Sequence, residues 1–218
     1  MTNLFHLLLL DPLLNLLVFL YENITLHDLG AAIILLTVIV RLVLYPLFYK
    51  SLKQQHMLKK IQPHVQAIQE KHKDNREEQG KALMALYKEH GVNPLMSLLL
   101  VFVQLPILIA LYQVFRTPPP DLTQSFLGLI SLHERSILLV VIAALLQYVL
   151  GVMSIGGNKN DTSPAGQTAR NMVMIGPVIT IAVLWSMPAA VGLYWVTTTL
   201  FSLLQQLHVE RKFSHGTH

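Results

Sequence analysis

The sequence predicts an all-α integral membrane protein. It has five transmembrane helices, a cytoplasmic helical hairpin and an N-terminal interfacial helix. Three observations point there. Apolar residues make up 53% of the 218 residues and charged residues only 13%, whereas a soluble domain carries about a quarter charged. Mean hydropathy is +0.50. The apolar residues gather in runs of roughly 20, the length that crosses a hydrocarbon core, and Lys and Arg fall on alternate connections between the runs. The length holds about five such spans and one modest aqueous segment. With no Cys, a disulfide framework, a thiolate metal site, a Cys nucleophile and a lipid-modified Cys are excluded.

Segment 1–28 is Leu-rich but broken by His6, Asp11, Pro12 and Asn15. It lacks the basic start of a secretory signal. Asp11-Pro12 divides it into two short amphipathic pieces that suit the outer interface; a poor first span is the alternative. Segment 29–49 is the first confident span, a dense run of Ile, Leu and Val holding one charge, Arg41, with Pro46 near its end.

Segment 50–93 changes character, with nine Lys or Arg and five acids. Apolar residues recur at helical spacing: Ile61, Val65 and Ile68, then Leu83, Leu86 and Tyr87. The polar stretch 71–75 reads as a turn, and Asn75 followed by Glu78 as a helix cap. His90-Gly91 and Asn93-Pro94 form a stop signal. The expected form is an antiparallel helical hairpin in water, with Pro63 kinking its first helix or marking that helix's start.

The remaining spans are 94–115, containing Gln104 and Pro106; 136–155, containing Gln147; 171–187; and 188–208. Between them lie a Pro-rich outer loop, 116–135, and a Gly/Asn/Ser-rich cytoplasmic loop, 156–170. The fourth span is short, roughly 25 Å, and Gly176-Pro177 interrupts it, which suggests local bilayer thinning. A brief tail, 209–218, follows the fifth. The hairpin, the 156–170 loop and the tail share one face with thirteen Lys or Arg, against two on the other. By the positive-inside rule the hairpin and C-terminus are cytoplasmic and the N-terminus lies outside.

Arg41 is the most informative residue. It sits roughly 18 Å along its span. A guanidinium stays protonated in proteins, and a charge at that depth costs at least about 2.5 kcal/mol. It needs a water-filled cavity or an acidic partner, unless it snorkels to the cytoplasmic end. No Asp or Glu occurs inside the five spans. Intramembrane polarity comes from uncharged stripes instead. Thr37 and Tyr45 share the face of Arg41. Ser97 pairs in spacing with Gln104, and Gln147 with Ser154. Tyr194, Thr198 and Gln205 line one face of the last span, with Trp195, Thr199, Ser202 and Gln206 beside it. Each stripe alone can be helix–helix glue; four stripes and one Arg together fit a shared hydrophilic cavity.

The inventory for catalysis is poor. No span holds paired Asp, a zinc motif or a Ser with a base, and no Gly-rich phosphate loop precedes a helix. Neither an enzyme nor a metal or cofactor site is expected. The His residues on the hairpin read as solvated, and the hairpin's cations as a solvated packing face or a docking face.

Five segments taken together resemble the YidC family of membrane protein insertases. They are 30–46 (GAAIILLTVIVRLVLYP), the hairpin stretch 61–73, 87–94 (YKEHGVNP), 104–112 (QLPILIALY) and 188–206 (PAAVGLYWVTTTLFSLLQQ). The resemblance covers almost the whole chain in order. It implies the short bacterial form, in the inner membrane, with a groove open to cytosol and lipid but closed outside. Arg41 matches the groove arginine; Trp195 and Gln147 come next; Thr37, Tyr45, Gln104, Tyr194 and Thr198 follow as lining. Lys59, Lys60, Lys71, Lys73 and Arg76 are then hairpin docking residues. The implied partners are nascent membrane proteins and lipid, with the ribosome, targeting factors or a translocation channel, and no specific nucleic-acid sequence. The large extracytoplasmic domain of many members and their lipoprotein-type signal have no counterpart here. The basic tail shrinks to Arg211 and Lys212, so ribosome contact shifts to the hairpin. Two readings compete: a small anion transporter or channel, which would show inverted repeats with broken helices, and an assembly scaffold, which would need the hairpin but not Arg41.

Overall fold

The computed structural model describes residues 6–93, 95–116, 125–155 and 164–214. The Pro triplet at 118–120 and most of the Gly/Asn/Ser-rich loop lie outside the described residues. A π-helical turn, His6–Leu10, leads into α1 (Asp11–Asn23), and the two meet at Asp11-Pro12. The other helices are α2 (Leu29–Val43), α3 (Tyr45–Lys71), α4 (Arg76–Glu89), α5 (Met96–Arg116), α6 (Ile137–Ile155), α7 (Pro164–Leu184) and α8 (Ala189–Ser214). The protein is all-α apart from one two-stranded ribbon, β1 (Ser125–Phe126) with β2 (Ile130–Ser131).

The core lies where α1, α2, α5, α6 and α8 converge. Leu17 and Leu20 of α1, Ile33 and Leu36 of α2, Ala110 of α5, Ala143 of α6 and Val191 of α8 are buried together. The segment expected at the interface is therefore docked by its apolar face on α2 rather than lying apart. The small residues Ala110, Ala143 and Ala190 bring the backbones close.

Among the described residues, one helix alone is long and apolar enough to cross a membrane. It is Ile137–Ser154, and only 22% of it is buried within the protein. The helix pair α2 and α3 passes the same test jointly, although the two are bent by 66°. The stretch Val173–Leu184 is apolar but shorter.

Several boundaries differ from expectation. The first span does not run straight to 49: it breaks at Leu44, and Pro46 occupies the first turn of α3, where a missing N–H costs nothing. The helix then continues through Pro63 to Lys71. It neither starts nor ends at that proline. Helix α7 begins at Pro164 rather than 171 and runs through Gly176-Pro177. Its 21 residues span roughly 31 Å, but its apolar part, Val173–Leu184, is shorter than a full span. Helix α8 carries on through the expected tail to Ser214, because 205–213 contains neither Gly nor Pro. The stretch expected as a plain loop, 116–135, contains the β-ribbon, whose turn is made by Leu127 and Gly128 at positive φ, 53° and 66°.

Helix α4 folds back on the second half of α3. Asn75 caps it by accepting from the Glu78 N–H at 3.2 Å. Ile61, Val65, Leu86 and Val92 form a small separate core between the two helices.

Candidate functional site

Arg41 lies on the last turn of α2 and is 5% exposed. The bend at Leu44 explains its cover. It turns the chain so that the Phe48 ring lies under the guanidinium, with Cζ 4.3 Å from the ring centroid. The side chain is covered by the protein rather than exposed at the helix end. Its Nη1 is buried with no hydrogen-bond partner, and among the described residues no carboxylate pairs with it. Tyr194 of α8 lies within electrostatic reach. Phe48 was not singled out in the sequence; its spacing of seven from Arg41, across a Tyr-Pro break, was the available signal.

The predicted lining residues divide into two groups. Thr37, Arg41 and Tyr194 are buried, while Tyr45, Gln104, Gln147, Trp195 and Thr198 are part-exposed. Gln104 of α5 donates from Nε2 to the Tyr194 hydroxyl. That contact joins α5 to α8 beside the arginine. Tyr45 stacks on Tyr49, ring centroids 6.2 Å apart. Gln147 faces α7, where a Cβ on Gly176 would come within 3.2 Å of its Cγ. Glycine at 176 therefore makes room for the Gln147 side chain. The Ser97 side chain lies outside the described residues.

Most hydroxyls of the stripes are satisfied within their own helix. Thr37 donates to the Ile33 carbonyl at 2.7 Å, Thr197 to Leu193 at 2.8 Å, Thr199 to Trp195 at 2.8 Å and Ser202 to Thr198 at 3.0 Å. Such back-bonding mutes their polarity. The stripe groups that remain without partners among the described residues are Arg41 Nη1, Thr198 Oγ1 and both Nε2 and Oε1 of Gln205.

A second polar junction ties α3 to the ends of α6 and α8. Lys59 donates to the Met153 carbonyl at 3.0 Å and approaches Glu210 at 3.5 Å. Gln206 donates to Glu210 at 3.2 Å, and Ser154 donates to Gln206 Oε1 at 3.4 Å. Lys59, expected as a docking cation, is thus engaged within the molecule. Lys60, Lys71, Lys73 and Arg76 are exposed. Burial, reinforced by Lys60 and Lys59 and opposed by Glu210, holds His56 below its usual value. Glu210 is the sole acid in 209–218, and that was the sequence signal for this junction.

The ribbon packs against the start of α2. Asp28 caps α2 through the Ala31 N–H at 2.7 Å and also accepts from the Leu127 N–H. Phe126 presses on Gly30 so closely that a Cβ there would overlap the ring. The Glu134 and Leu132 carbonyls accept from the Ala189 and Ala190 N–H groups at the start of α8, at 2.7 and 3.0 Å.

Residues 19–216 match the model of the family described as 60Kd inner membrane protein. The chain is 36% identical over 181 residues to a protein of Clostridium tetani, covering 83% of this chain and 81% of that one. It is 31% identical over 217 residues to a protein of Magnetococcus marinus, and 32% over 205 to one of Nitratidesulfovibrio vulgaris. Each of the three carries the name membrane protein insertase YidC. The chain spans 37% and 38% of the length of the latter two.

Proposed function

The chain belongs to the 60Kd inner membrane protein family, and from that premise we propose that it is a membrane protein insertase working without catalytic chemistry. The observation that carries the reading is a buried guanidinium in an apolar helix, with one nitrogen unpartnered and no carboxylate beside it among the described residues. A charge so placed has strong unspent potential, because the local dielectric is low. An acidic or polar substrate tail entering from the cytosol is the natural complement. Phe48 covers the charge in the conformation described, so capture requires the α2–α3 bend to move the ring aside.

In this reading the chain spans the bilayer five times, with its N-terminus outside and its C-terminus in the cytoplasm. Arg41, with Gln104, Gln147, Tyr194, Trp195, Thr198, Thr37 and Tyr45 around it, forms the substrate groove. The attraction is transient. The substrate's apolar helix leaves sideways into lipid, driven by burial of its own side chains. The ribbon on Gly30 and Asp28 closes the outer end meanwhile. Lys60, Lys71, Lys73 and Arg76 give the hairpin an exposed basic face for the ribosome, a targeting factor or a translocation channel.

The test is insertion of single-span substrates with acidic N-terminal tails into proteoliposomes. Arg41→Ala should lower the yield at least tenfold, by removing about 1.4 kcal/mol or more of charge attraction, and Arg41→Lys should retain most of it. Normal insertion of acidic-tailed substrates by Arg41→Ala rejects electrostatic capture.

A further inference from the structure

We propose that Gln205 is a main-chain docking point, whose side-chain amide takes the C=O and N–H of a polar substrate segment moving along the inner face of α8. The proposal rests on the insertase reading and adds a residue with a different selectivity. Gln205 is 5% exposed, and both Nε2 and Oε1 are buried with no hydrogen-bond partner among the described residues. Native interiors rarely leave even one end of an amide so placed unpaired. Its neighbour shows the contrast. Gln206 is as buried, yet its Oε1 accepts from Ser154 and its Nε2 donates to Glu210. One glutamine is built into the α3–α6–α8 junction, and the next is not.

Position and chemistry suggest what Gln205 takes. It shares a face of α8 with Tyr194 and Thr198, roughly 16 Å from Tyr194 toward the cytoplasmic end. Of the hydroxyls beside that face, Thr199 and Ser202 are bonded to their own backbone, while Thr198 Oγ1 is buried without a partner among the described residues. A primary amide presents a donor and an acceptor together, and a peptide unit offers the matching pair. A neutral amide reads no charge and no side chain. It therefore suits segments of any sequence, whereas Arg41 favours acidic ones.

The chain has no native Cys, which makes single-cysteine crosslinking free of background. In proteoliposomes, Gln205→Met keeps shape and removes both hydrogen bonds. It should lower insertion of neutral- and acidic-tailed substrates alike, about fivefold to tenfold, whereas Arg41→Ala should affect the acidic ones. Gln205→Cys should form a disulfide with a cysteine in the substrate's polar segment. Leu204→Cys, 59% exposed on the adjoining face, should instead capture the substrate's apolar helix. Normal insertion by Gln205→Met, or a folded Gln205→Cys protein that captures no polar segment while inserting substrate, overturns the proposal and leaves the amide to ordered water. Insertion by the unmodified protein against protein-free liposomes tests the insertase reading separately.

Discussion

At the scale of single residues, the molecule keeps two cations in different kinds of surroundings. Arg41 has an aromatic ring and, among the described residues, no paired anion. Lys59 has a carbonyl at 3.0 Å and a carboxylate at 3.5 Å. The second arrangement is structural, and its pair is part-exposed, so it contributes little by itself. Its effect on His56 is measurable. Burial and the two lysines hold the imidazole below its usual value, so the unfolded chain takes up a proton near pH 6.5 before the folded protein does. Stability is full above about pH 6.5 and is lost as pH falls from there toward the depressed folded value. Thermal unfolding in detergent between about pH 7 and pH 5 should show the slope, and His56→Gln should reduce it. Equal slopes in the two proteins would remove His56 from the explanation. Arg41 was legible in the sequence because a charge in an apolar run needs a cause. The covering Phe48 was not, since it depends on the angle between two helices.

At the scale of elements, close approach decides where glycine is required. Ala is favoured over Gly in a helix by roughly 1 kcal/mol. Gly80 in α4 has open space where a methyl group would sit, with no atom within 4 Å, so Gly80→Ala should stabilise by about 0.5–1 kcal/mol. Gly30 at the start of α2 has the opposite environment: a methyl there would lie 2.5 Å from Phe126 Cβ and closer still to the ring. A Cβ contact so near the backbone cannot be relieved by turning the ring. Overpacking should outweigh propensity, and Gly30→Ala should destabilise by about 1–3 kcal/mol. Adding Phe126→Gly, which removes that Cβ as well as the ring, should recover part of the loss. Melting temperatures of the variants and the unmodified protein check both signs, and a stabilised Gly30→Ala would mean that the ribbon does not press on α2. Helix capping by Asn75 was readable from the sequence, since the cap is local. The ribbon was not, because two strands of two residues each carry no periodicity, and their anchor, Asp28, lies 99 positions from Leu127. Nor was the length of α7 or α8 readable: Gly176-Pro177 reads as a breaker in isolation, but its place against Gln147 of α6 is set by packing.

At the scale of the whole molecule, the outward faces of α6 and α7 set the environment the fold requires. Ile137, Leu138, Val141, Leu145, Val149 and Val152 are exposed along one side of α6; Met174, Ile175, Val178, Ile179 and Ile181 are exposed on α7. A helix buried in a soluble core is covered on most sides, whereas Ile137–Ser154 is only 22% buried. An apolar surface of that extent is unstable in water and neutral in hydrocarbon. The ends of the bundle differ in polarity as well. The turn at 72–75 is polar and carries Lys73 and Asp74, while the ribbon tip presents Leu127 and Leu129. In the proposed topology the hairpin is cytoplasmic and α5 carries the chain across the bilayer between these two points. Single cysteines at Asp74 and at Leu129, which is 85% exposed, should therefore meet opposite compartments. A membrane-impermeant maleimide added to intact spheroplasts should label Leu129→Cys at once and Asp74→Cys only after lysis. Labelling of both from the same side would exclude a single crossing by α5 and, with it, the five-span topology on which a groove facing the cytosol depends.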